Sequence, residues 1–236
     1  MLALLFAAAL ATSSPCPQHF AGGVEPDAAA VIELCFTGFA VGYRGPWREP
    51  AWSAEHITAD SARAGEAAKR NGDFHECAGI AADEQASPAD YAHSGYDLGH
   101  MTPAGDRGAD KPETFGTCNM VPQKPNLNRK IWAGIEAAVR NLATAGADLY
   151  VITGPIVPSG ARALNSRVAV PSGTWKAVYQ VGRGSEAWSC SNDDAPTCSQ
   201  VSLEALTVAI GFDPFPGVEP ALLVPIELPP PTKGMN

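Results

Sequence analysis

Residues 94–106, SGYDLGHMTPAGD, place a histidine among glycines and polar residues, between a predicted strand and a predicted loop. A neutral imidazole can accept a proton at physiological pH, so His100 is a candidate general base. One histidine beside a turn is more often a structural residue, however. His100 therefore indicates catalysis only in combination with other residues of the chain.

The stretch NLNRKIWAGIEAAVRNLA, residues 126–143, predicts an amphipathic helix. Its apolar residues recur every three or four positions and form one stripe facing the core, namely Ile131, Ile135, Val139 and Leu142. Asn128, Glu136 and Arg140 follow along a neighbouring face with Trp132. Each has an ordinary explanation, because an asparagine can cap a helix and a glutamate can pair with an arginine four residues on. Their proximity to His100 in the chain favours a shared site instead.

Phosphodiester hydrolysis requires these residue types. It needs a base for water, a divalent cation at the phosphate and cationic groups around the developing charge. His100 can supply the base, the Asn128 carbonyl can hold Mg²⁺, and Glu136 can orient the waters of the ion. Arg140 can face the phosphate. Residues 97–140 carry a net charge of +1 whereas the remainder carries −10, so a polyanion could dock locally.

Together these motifs resemble those of the DNA/RNA non-specific endonucleases, the ββα-metal family that includes endonuclease G. The resemblance lies in ADYAHSGYDLGHMTPAGD (89–106) and TFGTCNMVPQKPNLNRKIWAGIEAAVR (114–140). LYVITGP (149–155) and VAVPSGTWKAVY (168–179) also fit. It implies a single-domain α+β fold with a mixed or antiparallel sheet, in which two strands around residues 97–100 and the helix at 126–143 form a ββα motif.

The resemblance also implies a role for each site residue. His100 is the general base, Asn128 the sole direct protein ligand of Mg²⁺ (or of Mn²⁺), and Glu136 holds the waters of the ion. Asn119 supports the histidine, and Arg140 lies near the phosphate or those waters. The expected substrates are DNA and RNA. The sequence indicates neither an inhibitor protein nor an oligomeric state, and we expect no stable association with a membrane.

Two positions depart from the pattern of the family. Leu98 stands where the family commonly has an arginine, and His75, in GDFHEC, falls where many members have another. Losing both removes charge-assisted phosphate bonds of about 1.5–3 kcal/mol each, which Arg107 or Lys124 could replace. A rival hypothesis is therefore a secreted nucleic-acid-binding or interaction protein with this fold and little or no turnover. A structural domain without a ligand would require both motifs to be coincidental.

The start of the chain predicts export. MLALLFAAALA, residues 1–11, is an apolar run with a small-x-small end, which is typical of a signal peptide. It is too short for a bilayer, which needs ~20 residues. A buried N-terminal strand is the alternative.

Six cysteines without CxxC spacing predict three disulfides and a secreted or periplasmic protein. A turn-forming stretch separates Cys190 from Cys198, and proximity then pairs Cys16 with Cys35 and Cys77 with Cys118. Residues 52–70 predict a polar surface helix. We expect the nuclease-like domain to cover 16–220 and the Pro-rich tail, 228–236, to be disordered.

Overall fold

An antiparallel sheet of seven strands forms the centre of the computed structural model, which describes residues 14–69 and 71–232. The strands are β1 (Ile32–Cys35), β2 (Phe39–Arg44), β3 (Glu49–Ile57), β4 (Asp97–His100), β5 (Met120–Gln123), β6 (Leu149–Ile156), β7 (Ala163–Leu164), β8 (Val168–Ala169), β9 (Gly173–Gln180), β10 (Gly184–Ser191) and β11 (Cys198–Val201). The large sheet has the order β1-β2-β3-β6-β9-β10-β11. The pairs β4-β5 and β7-β8 are separate.

Helices cover both faces of the large sheet. The helices are α1 (Ala59–Ala67), α2 (Pro88–Tyr91), α3 (Ala133–Thr144), which follows a π-helix at Leu127–Trp132, and α4 (Leu203–Ile210). Ile135 of α3 packs with Val151 and Val178 on one face. Leu206 of α4 packs with Trp52 on the other. Side chains alternate between the two faces along a strand, so each strand contributes to both cores. The predicted single-domain α+β fold is confirmed.

The prediction of a surface helix over 52–70 is wrong for its first six residues, which belong to β3. Trp52 is fully buried in the core. Glu55, whose charge suggested a surface position, forms a buried ion pair with Arg107, Nη2 to Oε2 2.7 Å. The partner that allows its burial lies 52 residues away, so the local pattern could not reveal it. The second part of the segment forms α1, which Thr58 caps as an acceptor from the Ser61 N–H.

The hairpin β4-β5 and the helix that follows it form the expected ββα unit. β4 and β5 are antiparallel, with Asp97 opposite Gln123 and His100 opposite Met120. The helix predicted over 126–143 is present, but Leu127–Trp132 form a π-helix ahead of α3. A π-helix is rare and is frequently found at a functional site.

All three predicted disulfides are present: Cys16–Cys35, Cys77–Cys118 and Cys190–Cys198. The third closes the β10-β11 hairpin, as expected. The second ties the segment after His75 to the turn that carries Asn119.

The Pro-rich tail differs from the prediction over residues 228–232, which pack on the protein instead of being disordered. Leu228 is buried, and it exchanges backbone hydrogen bonds with the side chain of Gln200. Thr232 donates to the carbonyl of Gly134 in α3. The prolines prevent regular structure in this segment but leave these contacts open. The predicted signal peptide, 1–11, and residues 233–236 lie outside the described residues. Within the described part, no helix has the length and apolar character to cross a bilayer.

Candidate active site

His100 and Asn128 line one cleft of about 420 Å³. His100 is the last residue of β4, and Asn128 is the second residue of the π-helix. The cleft is also lined by Phe74, Tyr96, Asp97, Leu98 and Arg129. The ββα unit therefore brings the two residues on which the predicted chemistry depends to the same surface.

Backbone pairing and aromatic packing position His100. The Phe115 ring meets the imidazole edge-on, with centroids 5.2 Å apart, and the Phe74 ring lies at 5.9 Å. The glycine before the histidine is required, because a Cβ on Gly99 would lie 2.1 Å from Oε1 of the buried Gln123. The glycine of the motif thus allows β4 to approach β5.

Asn119 is fully buried and fixes the backbone near the histidine. Its Oδ1 accepts from the Thr102 N–H at 2.9 Å, and its Nδ2 donates to the carbonyls of Thr102 at 2.9 Å and Thr114 at 3.0 Å. Thr102 follows His100 by two residues, and Thr114 precedes the aromatic residue that packs on it. These bonds tie together the backbone of two segments, one that follows His100 and one that precedes Phe115.

Asp97 orients the side-chain amide of Asn128. Oδ2 of Asp97 accepts from Asn128 Nδ2 at 3.0 Å and from Arg129 Nε at 2.7 Å, and Oδ1 accepts from Arg129 Nη2 at 2.5 Å. The amide nitrogen of Asn128 is thereby occupied, so its oxygen is the atom left to act as a ligand. Sequence reasoning assigned no role to Asp97, although its place in the first motif was visible.

Glu136 and Arg140 lie outside the set of residues that line the cleft with His100. Arg140 pairs with the buried Asp106, Nε to Oδ1 2.5 Å. Although burial lowers the pKa of Arg140, the carboxylates of Asp106, Glu136 and Glu55 raise it more. Burial raises the pKa of Glu136 to about 7, Asp106 adds to that shift, and the nearby cations Lys176 and Arg140 oppose it. These two partly buried residues therefore belong to a cluster of charges that includes Asp106, Glu55 and Lys176.

Further cations of the site region are also internal. Arg107 is buried against Glu55, so the hypothesis that it replaces a missing phosphate contact is wrong. Burial raises the pKa of Glu55, and the guanidinium of Arg107 opposes that shift. Lys111 is buried too, and its ammonium donates to two carbonyls at the end of α1. The positive charge of residues 97–140 that reaches solvent comes mainly from Lys124, Arg129 and Lys130.

His75 and Leu98 occupy the two positions that depart from the family pattern. Leu98 lines the cleft. The exposed His75 uses its backbone to pair with Phe115 and Thr117, and its Nδ1 lies 3.0 Å from the Asp73 carbonyl. Leu98 therefore adds an apolar side chain, and no positive charge, to the cleft wall.

Comparisons with known proteins identify the family of the chain. The chain belongs to the DNA/RNA non-specific endonuclease family, which matches residues 18–221. It is 35% identical to Nuclease C1 of Cunninghamella echinulata var. echinulata over 59% of this chain and 62% of the relative. It is 33% identical to a nuclease of Nostoc sp. over 61% of this chain and 59% of the relative. Each alignment therefore spans about three-fifths of the relative.

A solved structure has the same fold. The structure of a complex of EndoG with EndoGI, described as showing the mechanism of EndoG inhibition, matches with a TM-score of 0.71 and 28% identity. The match covers 81% of this chain and 88% of the other. The predicted family membership is thus confirmed by sequence and by fold.

Proposed function

We propose that this chain is an exported, metal-dependent endonuclease that hydrolyses phosphodiester bonds of DNA and RNA with little sequence preference. The observation that carries the proposal is the shared cleft of His100 and Asn128. Contacts to phosphates position a strand without reading its bases, which suits a non-specific nuclease. We take residues 16–220 as the nuclease domain.

His100 acts as the general base in this proposal. Its imidazole takes a proton from the water that attacks phosphorus, which an imidazole can do near neutral pH. Phe115 and Phe74 limit the orientations of the ring. Asn119 holds the surrounding backbone, so we assign it a positioning role.

The donor set fits a hard divalent cation such as Mg²⁺, with Mn²⁺ as a substitute. Asn128 offers a carboxamide oxygen, whereas the carboxylate of Asp97 already accepts three hydrogen bonds. Mg²⁺ keeps several waters and needs few protein ligands. Over residues 14–69 and 71–232, the one close group of three His, Cys, Asp or Glu side chains contains both sulfurs of a disulfide, at Cys16, Glu33 and Cys35. When bound at Asn128, the ion would supply positive charge to the phosphate and the leaving oxygen.

The charged residues of α3 also have roles in the proposal. We assign Glu136 to holding the waters of the ion. It follows Asn128 by about two helical turns, so the two side chains lie along one face of the helix. Arg140 and Asp106 form the ion pair beside it. In this assignment Arg140 contributes positive potential near the phosphate.

Three disulfides support an oxidising location, so we propose that the protein is secreted or periplasmic. An inhibitor protein is a candidate partner, because the similar EndoG structure is a complex described by the inhibition of EndoG.

The experiment is to incubate the purified protein with plasmid DNA and with RNA, in Mg²⁺ and in EDTA. We expect cleavage of both in Mg²⁺, none in EDTA, and loss of cleavage in His100→Ala. The control is His56→Gln, which changes an imidazole on β3 that pairs with Asp148. Metal-independent cleavage, or full activity of His100→Ala, would contradict the proposal. If the protein binds DNA but does not cleave it, the result would favour a non-catalytic binding protein. The apolar Leu98 in the cleft favours the same alternative.

A further inference from the structure

Two cations, Lys124 and Arg162, lie against Tyr96, which lines the cleft. We call these three residues the rim. Lys124 Nζ lies 5.0 Å from the centre of the Tyr96 ring, and the Arg162 guanidinium carbon lies 5.5 Å from it. Arg162 Nη2 also donates to the Tyr96 hydroxyl at 2.6 Å. Tyr96 thus holds together cations from two distant parts of the chain.

Tyr96 of the rim and His100 belong to the same extended segment of the chain. Tyr96 directly precedes β4, and alternate residues of an extended chain share a face. Tyr96, Leu98 and His100 line the cleft, together with Asp97. Four residues of extended chain span ~13 Å. The rim is therefore too far from the imidazole to contact the same phosphate oxygen, but a neighbouring phosphate of the strand can reach it.

The charges of the rim remain available to a ligand. The partner of Arg162 at the rim is a neutral hydroxyl, and Arg162 is exposed. Lys124 pairs with Asp194 at 3.0 Å, but the Asp194 side chain is 83% exposed. An ion pair of that kind contributes little and can be exchanged for a phosphate. Arg129, by contrast, is held on both oxygens of Asp97.

We propose that Lys124 and Arg162 bind a backbone phosphate of the nucleic-acid strand next to the one that is cut, with Tyr96 as the residue that positions both cations. The inference rests on the proposed function, because it assumes that a strand lies in the cleft. The rim supplies the positive charge that Leu98 and His75 do not. Arg162 lies outside both sequence motifs, so only the folded structure shows that it belongs to the rim.

The test measures binding separately from cleavage. Fluorescence anisotropy of a labelled 12-nucleotide single-stranded DNA in EDTA gives the Kd at several salt concentrations. We expect the double variant Lys124→Gln/Arg162→Gln to raise the Kd by about tenfold or more. We also expect the slope of log Kd against log salt to fall by about 0.7, the value for one phosphate of a single strand. Tyr96→Phe, which removes the hydroxyl, should produce a smaller increase in Kd.

Two further variants control for charge and folding. Arg183→Gln removes an exposed cation that directly precedes β10. Lys124 lies near the other end of this strand, where its backbone N–H donates to the side chain of Asn192. It should leave the Kd unchanged. Asp194→Asn frees Lys124 from its carboxylate partner, so it should lower the Kd, an effect that misfolding cannot produce. Glu219→Gln, an exposed acid elsewhere, is its matched control.

The outcomes separate the two proposals. An unchanged Kd and salt slope in the double variant would overturn the phosphate site, even if the wild type cleaves DNA. A lack of DNA binding by the wild type would overturn it as well. Binding that depends on the rim, in a protein that cleaves no substrate, would support the phosphate site and contradict the proposed nuclease activity.

Discussion

The side-chain amide of Asn128 donates a 3.0 Å hydrogen bond to the carboxylate of Asp97. This bond joins the two sequence motifs through residues that are 31 positions apart, and both residues line one cleft. Arg129 completes the arrangement by binding both oxygens of the same carboxylate. The orientation of the candidate metal ligand therefore depends on a second residue, through the carboxylate of Asp97.

Asp97→Ala is expected to reduce the apparent affinity for the metal about 10- to 100-fold, the usual effect of removing a partner that orients a ligand. Titration of nuclease activity with Mn²⁺ measures this affinity. Arg129→Gln keeps the bond between Asp97 and Asn128 and should have a smaller effect. A wild-type metal dependence in Asp97→Ala would show that the amide needs no such support.

Asn119→Ala is expected to lower the free energy of unfolding by about 2–4 kcal/mol, because three buried hydrogen bonds lose a partner. Urea denaturation followed by circular dichroism measures the change. Asn126→Ala is the control, since Asn126 makes one exposed bond to the Asp194 carbonyl. Equal effects of the two substitutions would contradict the structural role of Asn119.

Removing a disulfide should lower the free energy of unfolding, and the loss should be larger for the disulfide that closes the longer loop. The loop-entropy relation gives about 4 kcal/mol for Cys77–Cys118, separated by 41 residues, and about 2.5 kcal/mol for Cys190–Cys198, separated by 8. Paired alanine variants in guanidinium unfolding experiments test this order. A reversed order would mean that residual structure in the unfolded chain dominates the effect.

Glu49→Gln is expected to stabilise the protein at neutral pH. Burial raises the pKa of Glu49 well above its usual 4.5, and no hydrogen bond to either carboxyl oxygen is formed among the described residues. Because the folded-state pKa is the higher one, stability is full below pH 4.5 and falls as the pH rises through the folded-state pKa. The variant removes this loss, by about 1–3 kcal/mol at pH 7.

Thermal or urea unfolding between pH 4 and pH 8 measures the effect. The difference between Glu49→Gln and the wild type should disappear toward pH 4. Glu219→Gln, at an exposed position, should follow the wild type throughout. A difference that does not vary with pH would show that ionisation of Glu49 is not the cause.

The sequence predicted the features that depend on local pattern. The helix after Asn126 and the turn between Cys190 and Cys198 follow from periodicity and turn residues close in the chain, whereas the strand pair around His100 was implied by the family resemblance. The family resemblance added the overall fold. Such features need no knowledge of what packs against them.

Features that depend on distant partners were not predictable. Glu55 lies in a buried strand because Arg107 neutralises it, and Arg140 turns toward Asp106 instead of lining the cleft. Arg162 joins the rim only through Tyr96, 66 residues earlier. The bond from Thr232 to Gly134 holds a tail whose composition indicated disorder.

The central claim assigns metal binding to Asn128 and proton transfer to His100. Electron paramagnetic resonance of free Mn²⁺, titrated with protein, separates these roles because it needs no turnover. We expect His100→Ala to bind Mn²⁺ like the wild type and to cleave no DNA, and Asn128→Ala to lose both properties. Wild-type Mn²⁺ binding by Asn128→Ala would contradict the account.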